Sequence, residues 1–159
     1  MGKTFWADLE YGEKGENKLI VYLFNDSNTK RVLDVRKDKY FQEADVDFLQ
    51  ELNDGSVNKI EVKSDRQAHK TGNFVYELEG QLNTGCLKRS IADYVFYYVS
   101  ESDEGYIVSM RRLNALIAQN RALKVVKMGD NATGYLINIQ EAINMGIMKR
   151  VEERTAKNE

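Results

Sequence analysis

Asp47, Glu61 and Lys63 are the residues whose types and spacing invite chemistry. Side chains two apart on a strand share a face, so Glu61 and Lys63 in Lys59-Ile60-Glu61-Val62-Lys63-Ser64 project together, while Ile60 and Val62 face the opposite way into a core. Asp47 lies on the preceding predicted strand, and the Asn53-Asp54-Gly55-Ser56 link favours positive φ and hence a hairpin. That hairpin sets Asp47 alongside Glu61, two carboxylates within reach of one hard cation, with magnesium the natural occupant. Magnesium keeps several waters, so Asp47, Glu61 and one main-chain carbonyl, that of Val62, leave positions for a phosphate oxygen and an attacking water. Lys63 beside them can orient or deprotonate that water, or neutralise charge on phosphorus. The competing reading is a solvated sheet face with cross-strand charge pairs, and the spacing Glu-x-Lys alone favours it.

The elements that must hold these residues follow from periodicity. Across residues 9–24, Leu9, Glu13, Glu16, Ile20 and Leu23 step by four, three, four and three, a helical stripe that puts two carboxylates at its inner edge. Asn25-Asp26-Ser27-Asn28 ends that helix. Strands are predicted at 31–35, 46–52, 57–63, 74–79, 94–99, 106–110, 124–127 and 135–139. Ser90 is expected to N-cap a short turn carrying Ala92 and Asp93, with Asp93 serving the helix dipole. Helices are predicted at 111–123 and 140–154, the second built on Ala142, Ile143, Gly146 and Ile147 and fraying into a charged tail. The order predicts an α/β or α+β sheet with helices packed on it, without regular βαβ alternation in the first half.

At 159 residues the chain suits a single domain, here 1–152, with 153–159 as a charged tail. An apolar share of 42% and a charged share of 30% describe a packed globular protein, not a disordered or fibrous one. No apolar run reaches the roughly 18–20 residues of a membrane span, and the Met-Gly-Lys-Thr-Phe-Trp start lacks the apolar core of a signal peptide, so a cytoplasmic location is expected. One cysteine, Cys86, and one histidine, His69, give no zinc-ligand set, so any metal must be held by oxygen. A net charge of −2 argues against an unselective nucleic-acid coat protein but leaves room for a local basic groove.

The run Asp45-Val46-Asp47-Phe48-Leu49, a turn, and then Lys59 through Ser64 resembles the signature of the PD-(D/E)xK, or restriction-endonuclease-like, nuclease superfamily. There an Asp followed by apolar residues is separated by a hairpin from an apolar-Glu-x-Lys strand. The resemblance implies a mixed central sheet flanked by helices, Asp47 and Glu61 as metal ligands, Lys63 as the group assisting the nucleophile, Mg²⁺ with Mn²⁺ as a substitute, and DNA as substrate. Gly15-Glu16 resembles the helix-borne Glu of many members, with Glu16 preferred and Glu13 second. Asp65 through Phe74 and Ser90-Ile91-Ala92-Asp93-Tyr94 resemble a bacterial and phage-type branch. Val46 stands where the superfamily's name has Pro, and Asp45 competes with Asp47, since strand alternation would place both on one face.

Arg66, His69, Lys70, Asn73, Lys88 and Arg89 flank the site in sequence and are the candidate phosphate contacts, against ordinary surface charge for each. Tyr94, Phe96, Tyr97 and Tyr98 read as core or dimer-interface packing in preference to a stacking platform for unpaired bases. The expected function is a magnesium-dependent DNA endonuclease, structure-selective in the manner of a Holliday-junction resolvase or phage-encoded, with a homodimer expected because duplex cleavage needs two active sites. The rival is a nuclease-like fold without catalysis that binds DNA or protein, which the intact Asp47, Glu61 and Lys63 disfavour.

Overall fold

The structure, a computed structural model, describes residues 14–66, 68–79, 90–119, 124–127 and 133–152. Leu9, Glu13, Cys86, Lys88, Arg89 and the 153–159 tail lie outside the described residues.

Helix α1 (Lys14–Asn25) buries Gly15, Leu19, Ile20 and Leu23, the face its apolar spacing predicts. Full burial of Leu19, Ile20 and Leu23 contributes about 1.5–3 kcal/mol each. Gly15 lets the helix approach the sheet, because a Cβ there would meet Tyr98 Cδ1 at 3.0 Å. Strand β1 (Thr29–Asp34) follows, then the short helix α2 (Lys39–Glu43), β2 (Phe48–Leu52) and β3 (Val57–Asp65). The predicted hairpin joins β2 to β3, with Gly55 at φ +86 and Asp54 Oδ1 accepting from the Ser56 amide at 2.9 Å.

Beyond β3 come α3 (Ala68–Thr71), β4 (Asn73–Glu79), β5 (Tyr94–Val99), β6 (Glu104–Ser109), α4 (Met110–Ala118), β7 (Lys124–Lys127), β8 (Thr133–Asn138), α5 (Ile139–Asn144) and β9 (Met148–Val151). A six-stranded sheet runs β1-β2-β3-β5-β6-β9, and a three-stranded sheet runs β4-β8-β7. Only the β3–β5 contact is parallel among the described pairings, so the central sheet is mixed but mostly antiparallel, in an α+β fold with helices on it.

Both faces of the large sheet are covered. Leu19, Ile20 and Leu23 of α1 pack on Val32, Phe48, Ile60, Phe96 and Tyr98. On the other face Val95, Tyr97, Val99 and Val108 meet Phe74 and Tyr76 of β4, Ile137 of β8 and Leu113 of α4. Phe74 and Tyr97 make an edge-to-face pair with centroids 4.7 Å apart. The aromatic run of β5 is therefore core, since Phe96, Tyr97 and Tyr98 are all buried, and a base-stacking platform on those three is excluded.

Two sequence expectations are corrected here, and two short helices are added. The 140–154 helix stops at Asn144: Gly146 takes φ +72, its amide donates to Ile143 at 3.0 Å and the Ile147 amide reaches back to Ala142 at 3.0 Å, the paired bonds of a Schellman cap. The chain then enters β9, which pairs antiparallel with β6. No helix forms at 90–93 either; Ser90 Oγ accepts from the Ala92 amide at 3.1 Å, and Asp93 does not serve a helix dipole but accepts from the Lys59 amide at 2.8 Å, tying β3 to the start of β5. The short helices α2 and α3 had no counterpart in the sequence reading.

Candidate active site

Strand β2 stops one residue short of Asp47, and that stop creates the site. Phe48 pairs with Ile60 in the β2–β3 ladder, so the register carried one step outward sets Asp47 opposite Glu61. The backbone holds it there, the Asp47 amide donating to Ile60 at 2.9 Å and the Val35 amide donating to the Asp47 carbonyl at 3.0 Å. The side chain continues where the ladder ends, for Asp47 Oδ2 accepts from the Val62 amide at 2.8 Å. A strand residue projects N–H and C=O from the same edge, so the Val62 carbonyl is directed to the edge that Asp47 occupies.

Asp45 does not share a strand face with Asp47, contrary to the alternation expected from sequence. Its φ of +55 places it in a left-handed turn after α2, where its carbonyl accepts from Ser90 Oγ at 3.1 Å. Of the two aspartates, Asp47 is the one that registers against Glu61.

Glu61 is 6% exposed, on the face of β3 that packs under the second sheet. The solvated-face reading is thereby overturned. Lys63 Nζ lies 2.9 Å from Oε1, and Ser90 Oγ lies 3.3 Å from Oε2. Burial pushes the Glu61 carboxyl up to about 7; Lys63 opposes that rise, while Asp45 and Asp47 add to it. The Asp47 carboxyl is raised as well, first by burial and then by the charge of Glu16, against the Val62 hydrogen bond and the positive charges of Lys63 and Arg36.

Like charges buried together favour a bound cation, and the donors suit a hard one. Among the described residues no group of three or more His, Cys, Asp and Glu forms a ready-made cage. Among the described residues, Asp47, Glu61 and the Val62 carbonyl offer a few oxygens of the kind magnesium accepts while keeping waters, and the charges of Asp45 and Glu16 are felt beside them.

No protein-family model and no curated protein matches the chain. Among solved structures it is similar to a bacterial homing endonuclease, at 15% identity over 92% of this chain and 77% of that one with a TM-score of 0.41. It is also similar to a nuclease from a fusselovirus, at 13% identity over 88% of this chain and 86% of that one with a TM-score of 0.42. Likenesses at this level decide nothing about activity.

Glu16 reaches the same corner from α1, where its Oε2 stands 3.0 Å from Arg36 Nη1. Arg36 also forks onto Asp34 and lies with its guanidinium carbon 5.1 Å from the Phe48 ring centroid. Sequence reading missed both Arg36 and Ser90. Arg36 sits in a loop with no periodic signal, and Ser90 was read as a helix cap; each meets the site through partners far along the chain.

The remaining candidates cluster elsewhere. Arg66, His69 and Lys70 are exposed around α3, with His69 Nδ1 2.8 Å from the Arg66 carbonyl. Asp65, where β3 ends, registers with Val99, four residues along β5 from the Glu61–Val95 level, or roughly 13 Å at about 3.3 Å per residue. Asn73 opens β4 opposite Asn138, its amide donating to Thr71 Oγ1 at 3.3 Å. These four residues are not gathered at the Asp47–Glu61 corner. Among the described residues no helix is long and apolar enough to cross a membrane.

Proposed function

We propose that this chain is a metal-dependent nuclease of the PD-(D/E)xK type that hydrolyses phosphodiester bonds in DNA. The observation that supports it is the meeting of Asp47, just before β2 begins, with buried Glu61 of β3, and Lys63 held 2.9 Å from Glu61. Asp47, Glu61 and the Val62 carbonyl are the groups that would hold Mg²⁺ or Mn²⁺. Such an ion supplies Lewis-acid polarisation of a phosphoryl oxygen and a more acidic water.

The chain's own residues do the rest. Lys63 Nζ, fixed by its pairing with Glu61, orients the attacking water and offers its positive charge to the phosphate. Ser90 steadies the other Glu61 oxygen. Glu16 is the auxiliary acid, placed so that its charge is felt at Asp47. A homodimer would supply a second site for the opposite strand of a duplex. Structure-selective cleavage, as of branched DNA, is the narrower form of this proposal.

The test is cleavage of linear, nicked, branched and single-stranded DNA with Mg²⁺ or Mn²⁺, comparing the parent with Asp47→Asn and Lys63→Ala. Losses of about 10²–10⁴-fold are expected for the variants. Equal cleavage by all three proteins removes the assignment, and no cleavage by the parent on any substrate favours a binding module.

A further inference from the structure

The acidic corner already contains a cation, the guanidinium of Arg36. Its Nε lies 2.9 Å from Asp34 Oδ1, its Nη2 2.7 Å from Asp34 Oδ2 and its Nη1 3.0 Å from Glu16 Oε2. The Phe48 ring lies beneath it at 5.1 Å. Backbone bonds tie this group to the site, because Asp34 pairs with Phe48 in the β1–β2 register and the Val35 amide donates to the Asp47 carbonyl at 3.0 Å. The Arg36 and Glu16 side chains are only 24% and 17% exposed, so water and salt screen the pair less than a surface one.

Two-metal phosphodiesterases place a second divalent ion about 3.5–4 Å from the first, where it faces further acidic oxygens. Here Glu16, whose charge is felt at Asp47, is engaged by Arg36 together with Asp34, which registers with Phe48, while Asp45 stands on the Glu61 side of the site. We propose that Arg36 is a positioning residue that takes the place of a second metal ion, holding Glu16 and Asp34 so that the chain binds a single divalent cation, at Asp47 and Glu61. This rests on the nuclease reading and deepens it. A guanidinium stays protonated at any working pH and its planar fork matches carboxylates, so the compensating charge is permanent where a second ion's would depend on its concentration.

The test counts Mn²⁺ ions on the full chain by calorimetry and by paramagnetic resonance. The parent and Arg36→Lys, which keeps the charge, are expected to bind one ion with an uncoupled spectrum. Arg36→Met is expected to admit a second, weaker ion and to show the broadened spectrum of a coupled pair, while the slope of cleavage rate against Mn²⁺ concentration steepens from first towards second order. A coupled pair of ions in the parent overturns the proposal, even if Arg36→Met does not fold. So does an Arg36→Met protein that folds and binds one ion with unchanged affinity. A parent that binds no Mn²⁺ and cuts no DNA removes the nuclease reading and this proposal with it, whereas a parent that cuts DNA with two bound ions removes the role of Arg36 alone.

Discussion

Asp65 and Glu61 leave the same face of β3 four residues apart and meet different company. At Asp65 the fold supplies donors: the Tyr97 hydroxyl donates to Oδ2, the Ala68 amide to Oδ1 at 3.1 Å, and the Ser100 amide to the carbonyl at 3.0 Å. Those bonds start α3 and close the β3–β5 end. At Glu61, β2 has already ended, the neighbours include Asp45 and Asp47, and burial pushes the carboxyl up to about 7. A carboxylate met by O–H and N–H donors holds the chain together; one buried among like charges is stabilised by a cation.

The largest effect that would break this contrast is on activity. Glu61→Gln should lower DNA cleavage by about 10²–10⁴-fold, whereas Asp65→Asn should leave the rate per folded molecule near that of the parent. Equal losses in the two variants would erase the distinction between the two ends of β3.

The next largest is the pH dependence of stability without divalent ions. The Glu61 carboxyl is raised from 4.5 to about 7, so between those values the folded chain binds the proton that the unfolded chain has released. Its stabilising share is complete below pH about 4.5 and is lost as pH rises through about 7, a change of about 3 kcal/mol. Urea unfolding in a chelator should therefore show the parent weakening from pH 5 to pH 8 more steeply than Glu61→Gln, and saturating Mg²⁺ should flatten the parent's slope. Parallel slopes in chelator would count against the buried, proton-hungry state of Glu61.

Tyr97→Phe sharpens the other half of the comparison. Burial and Asp65 both raise the Tyr97 phenol above its usual value, so the hydroxyl remains a donor throughout the working range. Its removal should cost about 1–3 kcal/mol of stability by stripping a donor from Asp65, with metal affinity unchanged. The smallest effect is expected at His69, exposed on α3 beside this saturated end; His69→Ala should change cleavage and stability by about twofold or less in the equilibrium or rate measured.

What was legible in the sequence is local. Asp54-Gly55 marks the turn between β2 and β3, but the register comes from a three-residue loop at 53–55, closed by the Leu52 amide on the Ser56 carbonyl at 2.8 Å, which pairs Phe48 with Ile60 where a two-residue loop would shift the strands by one. The α1 stripe needed only its four-and-three spacing, and β7 lies at 124–127 as its composition predicts. By contrast, Gly146 read as a small member of a helical stripe until its φ of +72 made it the stop of α5. Strand β9 hid for a related reason, since its buried-exposed-exposed-buried pattern breaks the two-residue alternation of a strand and matches the three-residue step of a helix.

By itself the sequence determined that Glu61 and Lys63 would share a strand face and that a tight turn would bring the Asp45–Asp47 stretch back towards them, because a two-residue strand period and one turn are short-range constraints. Only the tertiary structure decided that Glu61 would be buried rather than solvated, that Asp45 would sit in a left-handed turn while Asp47 registers against Glu61, and that Arg36 and Ser90 would belong to the site. Each of those outcomes depends on surfaces brought together from distant parts of the chain. The second sheet covers one face of β3, α1 carries Glu16 to Arg36, and the approach to β5 lays Ser90 against Glu61. Burial and charge neighbours are properties of that assembly, and no periodicity along the chain encodes them.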